Sequence, residues 1–166
     1  MKKVIISVTN DLNTDQRVNK VANSLLSNGF NVLLVGRKIK NLSAPLLIRE
    51  YDCHRFSLVF QKGFLFYLEF NIRLFFFLLF RPCDILLSND LDTLLPNFLV
   101  SKLKRKKLVY DSHELFVEVP ELLNRPIVKA VWLWIERFCL PRVKYAYTVS
   151  DSIANYYYEK SCYSAI

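Results

Sequence analysis

Three ionisable side chains and a serine follow a short apolar run in the middle of the chain. The run Leu108–Tyr110 is followed directly by Asp111, Ser112, His113 and Glu114, which is the pattern of a buried strand that ends in polar residues. The imidazole of His113 titrates near neutral pH, so it suits general acid–base work or hydrogen bonding to a hydroxyl group. The simpler alternative is that Asp111 and Ser112 cap a turn.

Polar residues also follow three other predicted strands. They are Asn10, Asp15 and Arg17 after the first strand, Asn89 and Asp90 after a central strand, and Ser150 with Asp151 after the last. In an open α/β sheet the carboxyl ends of parallel strands share one edge, and ligands bind there. Ser150 and Asp151 also begin a helix, whose N-terminal N–H groups favour an anion. Each cluster alone consists of ordinary turn residues, so their coincidence with His113 and Glu114 is the stronger indication of a site.

Strand and helix patterns alternate along the chain, and this alternation would bring the polar groups together. Val4–Val8 is a β-branched run, a helical stripe of apolar residues follows it up to Gly29, and Asn31–Gly36 is a second buried run. Such a β-α-β unit implies parallel strands. Further strands are predicted at Leu46–Ile48, Phe56–Phe60, Asp84–Ser88, Leu108–Tyr110 and Tyr145–Val149, with helices through Leu95 to Leu103, over Ile127–Leu140 and after Ser150. The predicted fold class is α/β: one Rossmann-like, doubly wound, mostly parallel sheet with helices on both faces.

The segment Phe64–Phe80 is almost wholly aromatic and aliphatic, and its length approaches that of a membrane span. Glu69, Asn71 and Arg73 interrupt its middle, and charged groups at the centre of a bilayer are costly. Glu69 and Arg73 stand four residues apart, where they can pair on one face of a helix. We therefore expect a helix that packs on the core. A helix at a membrane interface is the second alternative, and a membrane span is the least favoured.

Composition excludes several classes of site. The chain has 166 residues, a length that is enough for one domain with a core. Apolar residues make up 52% of it. Its 3 glycines stand far apart, so neither a G-x-G-x-x-G nor a Walker A phosphate loop is present. The 4 cysteines form no C-x-x-C pair, which argues against a zinc site and suits a reducing cytoplasm. His54, beside Cys53 and Arg55, is interpreted as structural. No secretory signal is predicted, because the first apolar run stops at Thr9.

The formal net charge of +8 favours an anionic partner. The basic run Lys102–Lys107 comes just before the Leu108 strand, so we expect it at the amino end of the sheet, opposite the predicted site. There it would be solvated or would face an anionic membrane surface, without contacting a substrate. Asp90 and Asp92 resemble a carboxylate pair, but Asp92 suits the first turn of a helix, so no metal site is predicted.

Four separated segments resemble, in order, the N-terminal half of family 4 glycosyltransferases. They are Val4–Val18 continuing to Gly29–Val32, then Asp84–Asp90, Tyr110–Phe116 and Tyr147–Ala154. The match is strongest at Tyr110–Phe116, and it covers most of the chain apart from about Arg37 to Pro82. The chain departs from many relatives at Thr9–Asn13, where those relatives have a glycine-rich loop.

The resemblance implies an enzyme of the GT-B fold, in which two Rossmann-like domains face a cleft. Residues 1–166 would form the N-terminal, acceptor-side domain, with the C-terminal donor-binding domain absent. The implied reaction moves a sugar from a nucleotide-sugar donor to a glycolipid or polysaccharide acceptor. It would be a retaining reaction without a metal or cofactor, in the cytoplasm and at the inner face of the membrane as a peripheral protein.

The same resemblance implies roles for individual residues. His113 and Glu114 would be catalytic, with His113 contacting the transferred sugar or the acceptor. The implied substrate-binding residues are Asn10, Asp15, Arg17, Asn89, Asp90, Asp111 and Ser150, of which Arg17 suits an anionic group. No nucleic acid is expected as a partner. Two alternatives stay open: half of a sugar-nucleotide 2-epimerase of the same architecture, and a non-enzymatic basic module that binds membrane or nucleic acid.

Overall fold

The computed structural model describes residues 1–40, 44–118 and 125–161, which form a parallel sheet with helices on both faces. The strands are β1 (Lys3–Asp11), β2 (Asn31–Lys38), β3 (Asp52–Ser57), β4 (Ile85–Asn89), β5 (Lys107–Ser112) and β6 (Tyr145–Thr148). The helices are α1 (Gln16–Ser27), α2 (Gly63–Phe80), α3 (Leu94–Leu103), α4 (Pro126–Cys139) and α5 (Asp151–Ser161). Neighbouring strands follow the order β3-β2-β1-β4-β5-β6, and every pair is parallel. The predicted fold class is confirmed.

The sheet buries apolar side chains on both faces, because successive residues of a strand point to opposite sides. Ile5 of β1 and Leu86 of β4 belong to the core formed with α2, α3 and α4. Val4, Ile6 and Leu34 point the other way and pack with α1. Strands covered on both faces need nearly continuous apolar runs, which is why β1 and β4 were recognisable in the sequence.

The segment between β2 and α2 differs from the sequence-based expectation. Leu46–Ile48 is not a strand: the Leu47 N–H donates to Asn13 Oδ1 at 3.2 Å, and the Ile48 side chain is exposed. The edge strand β3 instead begins at Asp52, so the strand expected at Phe56–Phe60 lies too far along the chain. The cause is the buried Tyr51, whose hydroxyl donates to Asn19 on α1 at 2.6 Å and anchors the chain just before β3.

Strand β5 continues through Asp111 and Ser112, beyond its expected end at Tyr110. In the register of the sheet, Asp111 pairs with Asn89 of β4 on one side and with Tyr147 of β6 on the other. The capping interpretation of Asp111 is therefore wrong, since this residue lies within the last pairs of the sheet and not in a turn.

Helix α2 is the crossover between β3 and β4, and it carries two apolar stripes. Phe66, Phe70, Leu74 and Leu78 are buried in the core, as expected for a core-packing helix. Glu69 and Arg73 form the predicted pair at 2.8 Å. By length and composition alone, α2 is also the one helix in the described part of the chain that could cross a membrane. Its opposite stripe remains exposed.

Gly36 on β2 lets the last residues of β1 and the loop that follows them pass close to β2. A Cβ atom at this position would lie 2.7 Å from the Asn10 carbonyl oxygen and would overlap the Leu12 side chain. The sequence pattern gave no reason to single out this glycine, because the close approach comes from a loop elsewhere in the chain.

We expect Gly36→Ala to destabilise the fold by about 1–3 kcal/mol, because a backbone carbonyl has to move to make room. Chemical unfolding measures the loss, and amide chemical shifts of residues 10–13 report the displaced loop. Gly29→Ala is the control: Gly29 has φ +80 but nothing within 4 Å of its Cβ, so it should strain its own turn and leave that loop unchanged. Wild-type stability and unchanged loop shifts in Gly36→Ala would contradict this account.

Candidate functional site

The candidate site lies at the carboxyl edge of β1, β4 and β5. Strand β1 has β2 on one side and β4 on the other, so the direction of the strand order changes beside β1. Open α/β sheets bind ligands outside the carboxyl ends of their strands at such a switch point. The polar residues that end β4 and β5 lie at this edge, as the sequence predicted.

Asp111 is the centre of the site. Its carboxylate is 0% exposed, and its Oδ2 accepts a hydrogen bond from the Tyr147 hydroxyl at 2.6 Å. The same oxygen lies 3.0 Å from His113 Nε2. A buried carboxylate is costly unless it is paired, and here one partner comes from β6 and the other from the segment that follows β5. The imidazole of His113 is thereby fixed in orientation.

The His113 side chain is only 6% exposed, although the sequence suggested an exposed side chain at the rim. Asp111 Oδ1 and both imidazole nitrogens are buried without a well-aligned hydrogen bond among the described residues, although Nε2 lies within ion-pair distance of Asp111 Oδ2. Buried polar atoms of this kind are uncommon and call for an explanation, such as a catalytic role or a bound water. The pair is therefore buried and has polar capacity left over for a ligand.

The pKa of His113 is raised from its ordinary value. The pairing with the Asp111 carboxylate is the main cause, burial of the ring acts against it, and the charge of Asp90 adds to the rise. The guanidinium of Arg17 acts in the opposite direction. The imidazole thus keeps its proton to higher pH than a solvated histidine and can serve as a hydrogen-bond donor or a general acid.

Asp90 connects β4 to the segment that carries His113. Its N–H donates to the Asp111 carbonyl at 2.8 Å, and its Oδ1 accepts from the His113 N–H at 2.9 Å. Asp90 has a φ of 58°, a strained backbone for a residue other than glycine and a common feature of functional sites. Burial raises the pKa of this carboxyl to about 6, against the opposing effect of the His113 N–H.

Asp92 follows in a short 3-10 turn, Leu91–Thr93, that leads into α3. Burial raises the pKa of Asp92 to about 7, and the hydrogen bond donated by the Thr9 hydroxyl acts against this rise. Its carbonyl oxygen accepts from Asn71 of α2 at 2.9 Å. Among the residues that the structure describes, no group of three His, Cys, Asp or Glu side chains could hold a metal ion. Through its hydrogen bonds with Thr9 and Asn71, Asp92 joins β1 and α2 to the site.

The three predicted residues near the end of β1, Asn10, Asp15 and Arg17, differ in what they contact. Asp15 caps α1 by accepting from the Val18 N–H at 3.2 Å, and its other oxygen accepts from Asn10 Nδ2 at 2.9 Å. These two side chains hold each other and the start of the helix. Arg17 is exposed and close enough for its charge to act on His113. Arg17 is thus the member of this group that is placed to meet an anionic ligand.

Three further predicted residues also take different positions. Asn89 is 1% exposed and donates to the Ser7 carbonyl at 3.3 Å. It therefore joins β1 to β4 beneath the edge. Ser150 accepts from the Ile153 N–H at 3.4 Å and caps α5. Glu114 is exposed, and its charge raises the pKa of both Asp90 and Asp92.

Three residues at this edge were missed by the sequence reasoning. Tyr147 could have been found, because it pairs in register with Asp111 once β6 is placed beside β5. Arg55 of β3 forms a buried ion pair with Asp11 at 3.2 Å, and the Arg37 guanidinium lies 4.2 Å from the centre of the Phe66 ring. Both arginines come from the region where no family pattern was visible, so nothing in the sequence indicated them.

Comparison with known proteins gives a consistent result. Residues 16–163 match the family model described as Glycosyltransferase Family 4. No curated protein sequence matches the chain.

Several solved structures share the fold. A sucrose-phosphate synthase from Thermosynechococcus elongatus aligns with a TM-score of 0.70 at 12% identity, over 97% of this chain and 45% of that one. A glycosyltransferase from a Streptomyces species aligns at 0.54 and 10% identity, over 90% of this chain and 50% of that one. UDP-GlcNAc 2-epimerase from Methanocaldococcus jannaschii aligns at 0.50 and 16% identity, over 93% and 41%. The chain thus spans about half the length of these proteins, and at such identities the likeness concerns the fold alone.

The raised pKa values lead to a prediction about stability. A group whose pKa is higher in the folded than in the unfolded state stabilises the fold fully below its unfolded pKa, and this contribution is lost as pH rises through the folded pKa. An unfolded Asp has a pKa of about 4, whereas the folded pKa values of Asp90 and Asp92 are about 6 and about 7. The stabilisation from these two groups is therefore lost as pH rises between those values. The pKa of His113 is also raised, so its contribution to stability is lost above about pH 6.5, the ordinary pKa of histidine.

We therefore expect Tm to fall by roughly 5 °C between about pH 5 and pH 8. Asp92→Asn should remove much of this slope, because the amide keeps an oxygen for the Thr9 hydroxyl and does not ionise. Asp52→Asn, which changes an exposed carboxylate on β3, is the matched control and should leave the slope intact. A Tm that rises over this range, or an unchanged slope in Asp92→Asn, would show that these carboxyls are not held in their neutral form.

Proposed function

The chain belongs to glycosyltransferase family 4, and from that premise we propose that it is the acceptor-binding half of a retaining, metal-independent glycosyltransferase. The enzyme would transfer a sugar from a nucleotide sugar to a glycolipid or polysaccharide acceptor. The observation that carries this proposal is the buried Asp111 carboxylate, which holds His113 and Tyr147 at the carboxyl edge of the sheet.

In the proposed reaction, His113 contacts the transferred sugar or the acceptor hydroxyl. Its backbone is held by Asp90 at 2.9 Å and its ring by Asp111 at 3.0 Å. A group held in this way loses little entropy when the reacting sugar binds, which is how positioning accelerates a reaction. Glu114 would orient the ligand from the exposed side, while Asp90 and Asp111 position His113.

The proposed acceptor side has an exposed cation. Arg17 is exposed and close enough for its charge to act on His113, whereas Arg55 is paired with Asp11 and Arg37 packs on the Phe66 ring. Guanidinium groups bind phosphate and carboxylate through paired N–H donors. This favours an acceptor that carries an anionic group, such as a phosphate in a glycolipid.

In the proposed enzyme, the nucleotide-sugar donor binds to a second domain. The solved sucrose-phosphate synthase and Streptomyces glycosyltransferase are roughly twice as long as this chain, since the chain covers 45% and 50% of them. In such an enzyme the nucleotide sugar would bind mainly to the second domain, facing the carboxyl edge described here. The described free thiols, Cys53, Cys83 and Cys139, suit a reducing compartment, so the proposed location is the cytoplasm.

A sugar-nucleotide 2-epimerase is the second candidate function. Two solved enzymes described as UDP-N-acetylglucosamine 2-epimerases align with TM-scores of 0.50 and 0.54, so the fold accommodates either reaction. The two functions differ in the need for an acceptor. An epimerase converts the nucleotide sugar alone, which proton NMR of the sugar detects, whereas a transferase releases the nucleotide only when an acceptor is added.

We expect the 166-residue chain on its own to transfer no sugar, because the proposed donor site belongs to a second domain. Purified chain is incubated with a panel of nucleotide sugars, with and without lipid and saccharide acceptors, and nucleotide release is measured. Boiled protein sets the background. Turnover well above that background would contradict the proposed division of the site between two domains.

In a polypeptide that contains this chain together with a donor-binding domain, His113→Ala should lower kcat/KM by about 10²-fold or more, as loss of a positioned catalytic group does. The change also removes a partner from the buried Asp111, so some loss of Tm is expected and is measured alongside. His54→Gln is the control: His54 stacks on Phe77 at 4.5 Å and belongs to β3, four strands away from β5 in the sheet, so the change should lower Tm without changing kcat/KM. Near-wild-type activity of His113→Ala would refute the proposed role.

A further inference from the structure

Helix α2 presents a second apolar stripe that no part of the described chain covers. Leu65, Leu68, Ile72, Phe76 and Phe80 all lie on its outer side, and Phe76 and Phe80 are 52% and 78% exposed. Glu69 and Arg73 are the only charged residues in the helix. A helix that is apolar all round is normally buried or in contact with lipid, so this outer stripe requires an apolar partner.

The apolar surface continues onto the neighbouring helices. Helix α2 packs on α3, and α3 packs on α4. A groove of about 280 Å³ runs between α2 and α3, lined by Leu68, Ile72, Phe76 and Leu99. Leu103 of α3 and Trp134 of α4 are also exposed. Contiguous exposed apolar patches of this kind mark interaction surfaces. We call the surface formed by these residues and the α2 stripe the α2–α4 face.

Cations lie along one end of the α2–α4 face, where the three helices end. Lys104 Nζ donates to the carbonyls of Leu78 and Arg81 at the end of α2, and Lys102 Nζ donates to the Arg142 carbonyl after α4. The Arg81 guanidinium lies 4.9 Å from the centre of the Phe77 ring, and that of Arg142 lies 5.2 Å from the Phe138 ring. Both arginines are exposed, so they combine a cation with an aromatic ring at the surface, a pairing that suits a membrane interface.

We propose that the α2–α4 face docks the protein on an anionic lipid bilayer. Leu68, Ile72, Phe76, Phe80 and Leu103 would enter the boundary between headgroups and acyl chains. Arg137 and Arg142 line one groove with Trp134, and the exposed Arg105 follows the end of α3. Together with Arg81, these arginines would contact lipid phosphates. Apolar burial combined with attraction to anionic lipid is the usual basis of interfacial binding.

The distribution of charge favours an anionic bilayer on the α2–α4 face over a second copy of the chain or a nucleic acid. A second copy of the chain would bring the same excess of cations to its own surface, and the carboxylates here are already engaged. Glu69 pairs with Arg73 and accepts from the N–H groups of Val59 and Phe60, while Asp84 pairs with Lys106. A nucleic acid would match the cations but not the phenylalanine and leucine side chains. An anionic bilayer matches both.

Docking through the α2–α4 face would bring the candidate site close to the membrane surface. Helix α2 begins near the carboxyl edge and ends at the amino edge, and its 18 residues span about 27 Å. If it lies in the plane of the membrane, the carboxyl edge with His113 stays close to the headgroups. On the proposed function, the reacting end of a lipid-linked acceptor could then reach the site without leaving the bilayer.

The test uses vesicles and needs no enzymatic activity, so it stands apart from the proposed function. The purified chain is floated with phosphatidylcholine vesicles and with vesicles that also contain phosphatidylglycerol, at low and high salt. We expect binding to the anionic vesicles. Phe76→Ser with Phe80→Ser should weaken it by about tenfold or more at both salt concentrations. Arg81→Gln and Arg137→Gln should each weaken it about fivefold, at low salt only.

Matched controls lie on other surfaces. Leu47→Ser and Val149→Ser remove exposed apolar side chains elsewhere, and Lys20→Gln and Lys38→Gln remove exposed cations from α1 and β2. None of these should change vesicle binding, and all variants should keep the wild-type circular dichroism spectrum. Loss of binding only in the α2–α4 variants supports the proposal.

Three results would overturn the proposal. The first is absent vesicle binding, or binding that the control variants reduce equally. The second is a stable dimer in solution that Phe76→Ser with Phe80→Ser dissociates, since the face would then belong to a second copy. The third is tighter binding to duplex DNA than to anionic vesicles, lost in the arginine variants but not in the phenylalanine variants.

Discussion

The candidate site depends on one buried carboxylate. Asp111 lies within the last pairs of β5, between Asn89 of β4 and Tyr147 of β6, where water cannot solvate its charge. It therefore needs partners from the protein, and it finds them in the Tyr147 hydroxyl and the His113 imidazole. The orientation of the catalytic candidate follows from this requirement and from the parallel register of three strands.

The surrounding backbone reinforces the same arrangement. Asp90 adopts a φ of 58° and bonds to both Asp111 and His113 through its own N–H and carboxylate. Asp92 links the next turn to Thr9 of β1. The site is thus held from β1, β4, β5 and β6 together, and an edge held in this way is suited to positioning a ligand.

Much of the fold could be predicted from the sequence, because strands buried on both faces leave continuous apolar runs such as Val4–Val8 and helices leave a three-to-four spacing. The edge strand β3 was misplaced, because a half-exposed strand has no such run and its position is set by the distant contact of Tyr51 with Asn19. The polar residues at the strand ends were found, but not which of them are buried and which are exposed. Burial separates Asn89 and Asp111 from Arg17, and burial depends on the packing of the whole edge.

The most direct test of the central claim is the titration of His113 in the purified chain by NMR of its imidazole nitrogens. The chain has 2 histidines, so the spectrum of His54→Gln assigns the signal. The account predicts a pKa for His113 above the ordinary value of about 6.5, with Nε2 protonated toward Asp111, and a lower pKa in Asp111→Asn. A His113 that titrates at or below its ordinary value, and does not respond to Asp111→Asn, would contradict the account.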